Sequence, residues 1–205
     1  AVSIGRSGNG NTNGRVLFID VTDGSVLNQF LNPNNEDRFY DAEFSPDGEL
    51  IALAGNGDIY ISNVSSGATV YTITSPPDSV NALAWSPDGN YIAMCGGWEG
   101  GGASFDMYKF VSNSWSRIWE KGTTTSCAST DFSHDSSQVV AGMYWYGADG
   151  NTAKVYQADS GVFVDSFRGP QYNGCTSGGN NYGGCGEILG IAWSPDNTHI
   201  VSAHS

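Results

Sequence analysis

One turn recurs four times and narrows the folds open to this chain. Serine heads Ser-Pro-Asp-Gly at 45–48 and at 86–89, Ser-His-Asp-Ser at 133–136 and Ser-Pro-Asp-Asn at 194–197. Each copy lies between two apolar runs: FYDAEFSPDGELIALAG (39–55), VNALAWSPDGNYIAMCG (80–96), STDFSHDSSQVVAGM (129–143) and ILGIAWSPDNTHIVSA (188–203). Such a turn has a mechanism, because proline presets φ, aspartate binds the local backbone and glycine accepts positive φ. Pro46, Pro87 and Pro195 fill the second position, and His134 replaces proline in the third copy.

A second hairpin accompanies each turn: RVLFIDVTDGSVLNQFL (15–31), DIYISNVSSGATVYTI (58–73), FDMYKFVSNSWSRIWE (105–120) and AKVYQADSGVFVDSF (153–167). Tyr71 and Ile73 alternate with Thr72 and Thr74, the period-two pattern of a strand. Gly24, Gly67 and Gly161 hold one turn position and Asn113 the fourth, the two residue types that most readily take a left-handed backbone. Each full unit therefore has four strands, a to d, with a and b largely apolar as inner strands packed on both faces should be. Strand a is expected over Ala42–Phe44, Ala82–Trp85 and Gly190–Trp193. No helical periodicity of useful length appears. The fold class is all-β, a propeller of four-stranded antiparallel blades; a β-sandwich with accidental repetition is the alternative.

The apolar strand, the Ser-Pro-Asp-Gly turn, the second apolar strand and the hairpin with its (T/S)xG-like turn resemble WD40 repeats over nearly the whole chain. The resemblance implies a toroidal domain that binds or assembles proteins. The chain departs from the family at two signatures. The opening Gly-His pair is missing, and the Trp-Asp position holds Ile19-Asp20, Ser62-Asn63, Tyr108-Lys109 and Tyr156-Gln157. The family's usual network of His, Asp, Ser/Thr and Trp therefore cannot form in its ordinary way.

The chain of 205 residues reads as one propeller domain or a propeller fragment, with units at about 1–38, 39–78, 79–124, 125–187 and 188–205. AVSIG (1–5) aligns with strand b, so seventeen strands are expected, and the terminal units are incomplete. A seven-bladed ring needs roughly 280 residues at about 40 per blade. Two explanations follow: the sequence is a fragment of a larger propeller, or a neighbouring copy completes its terminal blades, giving a fibre where the contact does not close.

Specificity in such a scaffold sits in its loops. The a–b and c–d turns are short. The long connections are GGWEGGGAS (96–104) and YWYGADGNT (144–152), both b–c, and RGPQYNGCTSGGNNYGGCGE (168–187), which is d–a. In a propeller these share one rim. That rim carries the candidate binding residues Trp98, Glu99, Tyr144, Trp145, Tyr146, Asp149, Tyr172 and Tyr182. Aromatics among Gly and Asn suit a protein surface or a sugar ring, since they offer rigid area at low entropic cost. Several of them also suit packing down onto the blade ends. Trp85 and Trp193, equivalent to Phe44 and Phe132, read as inter-blade core, and Trp115 and Trp119 fall on strand d.

No catalytic constellation assembles, and no enzyme is expected. GxSxG, HExxH and Walker-type loops are absent, and His134, His199 and His204 have no triad around them. Glu99 and Asp149 could in principle pair for glycoside chemistry, but their spacing reads equally as solvated loop acids. Asp149 alone is too little for calcium, so no metal or cofactor is expected.

Net charge is −13, from 21 acids against 8 bases, which opposes nucleic acid and anionic membranes. No apolar run reaches the length of a membrane span. The four cysteines make no CxxC pair; Cys175–Cys185 within one Gly-rich loop and Cys95–Cys127 between neighbouring blades are the expected disulfides. They favour an extracellular or cell-surface setting, or a cytoplasmic one if the thiols are reduced. Asn63-Val64-Ser65 is a glycosylation sequon in a c–d turn. The expected partner is another protein or further copies of the chain, as in a filament or surface layer, with a glycan as a third candidate.

Overall fold

The computed structural model describes residues 2–5, 14–31, 39–55, 57–74, 79–97, 103–123, 125–143, 153–167 and 188–204. Every element among them is a strand, and the seventeen strands fall into five antiparallel sheets. The first holds β1 (Val2–Gly5), β2 (Arg15–Ile19) and β3 (Val26–Leu31). The second holds β4 (Asp41–Phe44), β5 (Leu50–Ala54), β6 (Asp58–Asn63) and β7 (Thr69–Thr74). The third holds β8 (Val80–Trp85), β9 (Tyr91–Gly96), β10 (Ser104–Val111) and β11 (Ser114–Gly122). The fourth holds β12 (Cys127–Phe132), β13 (Gln138–Met143), β14 (Ala153–Gln157) and β15 (Phe163–Phe167), and the fifth β16 (Ile188–Trp193) and β17 (Ile200–His204). Each sheet is a meander in chain order. All three strand-a segments expected from the sequence are present.

The repeated turn works as its composition demands. Ser45, Ser86, Ser133 and Ser194 each donate a side-chain hydrogen bond to the aspartate two residues on, at 2.6 to 2.7 Å. The same hydroxyls accept the backbone N–H of Leu50, Tyr91, Gln138 and His199, which closes each a–b hairpin. The fourth turn position is left-handed throughout: Gly48 and Gly89 take it freely, whereas Ser136 (φ 63) and Asn197 (φ 59) carry side chains there. Those side chains stitch sheets together, with Asp88 N–H donating to Ser136 Oγ and His134 N–H to Asn197 Oδ1. In the c–d turns, Gly24, Gly67, Asn113 and Gly161 all have positive φ.

Period-two alternation decides which interface each core residue enters. On β5, Ile51 and Leu53 pack toward the first sheet, while Ala52 and Ala54 pack toward the third. On β9, Ile92 and Met94 face the second sheet and Ala93 and Cys95 the fourth. On β13, Val139, Ala141 and Met143 face the third sheet and Val140 the fifth. The face turned to the following sheet thus takes the smaller side chains, because that sheet's innermost strand comes close. At Gly142 a Cβ would lie 2.7 Å from Ile188, so even alanine is too large. Burying each large aliphatic here contributes about 1.5–3 kcal/mol.

Sheets pack in sequence order, β4 with β8, β8 with β12 and β12 with β16. Trp85 is buried between the second and third sheets, and Trp193 is half-buried against the fourth. Phe44 differs from this expectation. It is 39% exposed and packs edge-on to Phe18, because no innermost strand of the first sheet lies beside it among the described residues.

Candidate functional site

Strand register places the long loops. Gly96 pairs with Ser104, Ser104 with Gly122, Cys127 with Met143, Gly142 with Ala153, and Ala153 with Phe167. The ends of strands b and d and the starts of a and c therefore share one rim. The 98–102 loop leaves from β9 and β10, the 144–152 loop from β13 and β14, and the 168–187 loop from β15 and β16. One insertion within the third sheet, one within the fourth and one joining the fourth to the fifth thus leave from the same rim. The loop residues themselves, Trp98, Glu99, Tyr144, Trp145, Tyr146, Asp149, Tyr172 and Tyr182, lie outside the described residues, as do Cys175 and Cys185.

What the structure does describe is the footing of these loops. Gly97 has φ 95, and an added Cβ would sit 2.2 Å from the Ala103 backbone, so the first loop needs glycine at its entry. Its carbonyl accepts from Asn81 Nδ2 at 3.1 Å and from Ser126 Oγ at 2.9 Å. Asn81 also donates to the Cys127 carbonyl at 3.2 Å, joining the third sheet to the fourth. Beside it Cys95 and Cys127 form a disulfide with Cα atoms 4.9 Å apart, the inter-blade pairing expected from the sequence. Sequence patterning alone missed Asn81. Its signal is only that an amide replaces an apolar residue at the start of an inner strand.

The inner strands carry a second polar feature. Asp41 accepts the Leu83 backbone N–H at 2.8 Å, Asp131 accepts that of Trp193 at 2.6 Å, and Ser129 Oγ accepts that of Ile191 at 3.1 Å. Inner-strand side chains thereby satisfy the free edge of the following sheet. Burial raises the carboxyls of Asp41 and Asp131 from their ordinary range, against the pull of these hydrogen bonds. Glu43 keeps solvent access, yet packing around it, followed by the Asp41 and Asp131 charges, pushes its carboxyl up to about 7.

Glu43 in the folded chain holds a proton that the unfolded chain has released from about pH 4.5 upward, so it makes stability fall as pH rises toward 7. Glu43→Gln is expected to flatten that fall. With solvent screening taken into account the gain above pH 7 is about 1 kcal/mol or less, a few degrees in Tm. Thermal melts of both proteins across this range check it, and parallel pH profiles would contradict it.

Three comparisons place the architecture among known proteins. Residues 67–101 match the family model described as WD domain, G-beta repeat. That segment runs from the second c–d turn through β7, β8 and β9. An uncharacterised WD repeat-containing protein of Synechocystis is 28% identical over 130 residues, covering 62% of this chain and 35% of the relative. A chain in the crystal structure of a mitotic checkpoint complex superposes with a TM-score of 0.73 at 18% identity, over 99% of this chain and 57% of that one. The chain thus spans about a third of the curated relative and somewhat over half of the solved chain. At 18% identity the structural likeness concerns the fold.

Proposed function

From the premise that this chain is a WD40-like β-propeller, we propose that it is a non-catalytic scaffold that binds a protein through its loop rim. The observation that carries this reading is that three insertions, one within the third sheet, one within the fourth and one linking the fourth to the fifth, leave from one rim. WD40 propellers in general fit protein–protein interaction, and among the described residues the opposite rim carries short hydrogen-bonded turns. Flat aromatic side chains at the centre of a contact commonly dominate its affinity. Trp98, Trp145 and Tyr172 are therefore the expected anchors, one from each insertion. The Cys95–Cys127 bridge supports an oxidising setting, at the cell surface or outside the cell.

The test pairs two variants of the full chain. One replaces Trp98, Trp145 and Tyr172 by Ser on the loop rim; the other replaces Asp47, Asp88 and Asp135 by Asn on the opposite rim. A partner captured by crosslinking, identified and purified, is expected to lose at least tenfold in affinity for the first variant and little for the second. Unchanged affinity for the loop-rim variant removes the proposal. Concentration-dependent polymerisation of the purified chain would point to a filament subunit, and glycan-array binding lost on Trp98→Ala would point to a sugar-binding propeller.

A further inference from the structure

The c–d turn of the second sheet holds an asparagine whose two carboxamide ends have different fates. Asn63 closes β6, with its backbone N–H on the Ala68 carbonyl and its own carbonyl accepting from Gly67 N–H. Its side-chain Oδ1 accepts three hydrogen bonds, from Ser65 Oγ at 2.8 Å, Ser66 N–H at 3.0 Å and Ser66 Oγ at 3.1 Å. Among the described residues Nδ2 makes no hydrogen bond. A planar carboxamide held by its oxygen turns its nitrogen away from the turn. Ser65 and Ser66 are exposed, and Asn63 is half-buried at the tip of its hairpin.

The preceding sheet shows that the turn does not require this nitrogen. At the matching position Asp20 accepts from Thr22 N–H at 2.8 Å and from Thr22 Oγ1 at 2.6 Å, and its carbonyl receives Gly24 N–H. An aspartate therefore makes the same turn, so Nδ2 of Asn63 is dispensable to the fold. Together with Ser65 two residues on, it forms an Asn-Val-Ser acceptor sequence already folded with the serine hydroxyl on the asparagine oxygen.

We infer that Asn63 is an N-glycosylation site, its Nδ2 accepting an oligosaccharide from a lipid-diphosphate donor. In that transfer Nδ2 loses one proton and bonds the anomeric carbon of the first sugar. The bond from that carbon to phosphate breaks, and the lipid diphosphate leaves; no oxidant or reductant is needed. The Val64 N–H bond to the Glu49 carbonyl fixes this turn beside the a–b turn, on the rim opposite the long loops. A glycan there shields the short-turn rim and leaves the loop rim free for its partner. The inference rests on the oxidising, exported setting proposed above.

The experiment is secretion of the full chain, behind a leader, from a cell line that performs N-glycosylation, followed by intact mass and peptide mapping. A glycan mass is expected on the Asn63 peptide of the wild type, and equally on Ser65→Thr, whose hydroxyl fits as Thr22 does. It should be lost from Asn63→Asp, which keeps the turn, and from Ser65→Ala. Release with a glycosidase in heavy-oxygen water should leave labelled aspartate at position 63. An unmodified Asn63 in folded, secreted wild-type chain overturns the inference. Thiol counting on the same sample separates the two ideas: free thiols at Cys95 and Cys127 count against the oxidising setting, whereas the mass at Asn63 alone decides the glycan.

Discussion

Removing the Cys95–Cys127 bridge is expected to lower the stability of the chain by about 3–4 kcal/mol. The two cysteines are 32 residues apart, and closing a loop of that length in the unfolded ensemble removes entropy of this size. Both side chains are fully buried, Cys95 on the small-residue face of β9 and Cys127 at the head of β12. Cys95→Ala with Cys127→Ala keeps a compact apolar contact there, so most of the loss should come from the missing cross-link. In a chain of this size that loss corresponds to a Tm lower by roughly 10 °C. Urea melts with and without reductant provide the check. In reductant the wild type and the variant should become about equally stable, so that the difference between them is confined to oxidising conditions. A wild type insensitive to reductant and no more stable than the variant would refute it. The bridge also stands beside Asn81 and Gly97, so its loss should loosen the footing of the first long loop and weaken rim binding in parallel.

Phe105→Ala should cost about as much, 3–5 kcal/mol on the scale of buried phenylalanine truncations. Phe105 on β10 is fully buried, with its ring 5.5 Å from Trp119 of its own sheet and 5.8 Å from Tyr156 of the next. Trp119 completes the lock by donating its Nε1 hydrogen to the Ala158 carbonyl at 2.8 Å. Gly161 lies so close that an added Cβ would meet the Trp119 ring at 2.9 Å. Deleting the Phe105 ring thus opens a cavity between two sheets whose walls are rigid and cannot easily collapse. Phe105→Leu, which refills much of the space, should cost about 1.5 kcal/mol or less. Equilibrium denaturation of the three proteins tests the order. An alanine variant as stable as wild type would show that the inter-sheet contact carries little of the fold's stability.

Some of this was legible because it is local. The Ser-x-Asp turns, the left-handed glycines with Asn113 in their place, and the alternation of Tyr71 and Ile73 with threonines each report the backbone within a few residues. Seventeen strands and a family likeness followed from that information alone. The rim from which the insertions leave was legible too, because strand direction puts all b–c and d–a loops on one rim once the sheets are meanders. The Cys95–Cys127 pairing rested on the same reasoning about strand ends.

What the sequence by itself determined, then, is the repeat, the strands, the turns and the rim that receives the insertions. Only the tertiary structure decided which neighbour each inner side chain meets. Asp41 reaches Leu83 across 42 residues and Asp131 reaches Trp193 across 62, and no local pattern marks either partner. The division of β5 into Ile51 and Leu53 against Ala52 and Ala54 looks in sequence like an ordinary apolar run. It acquires meaning only when the two sets are seen to enter different clusters, one against the first sheet and one against the third. Phe44 shows the same limit: it occupies the position of buried Trp85 and Phe132, yet stays 39% exposed. Burial depends on what stands opposite a residue, and that is set by the packing of whole sheets.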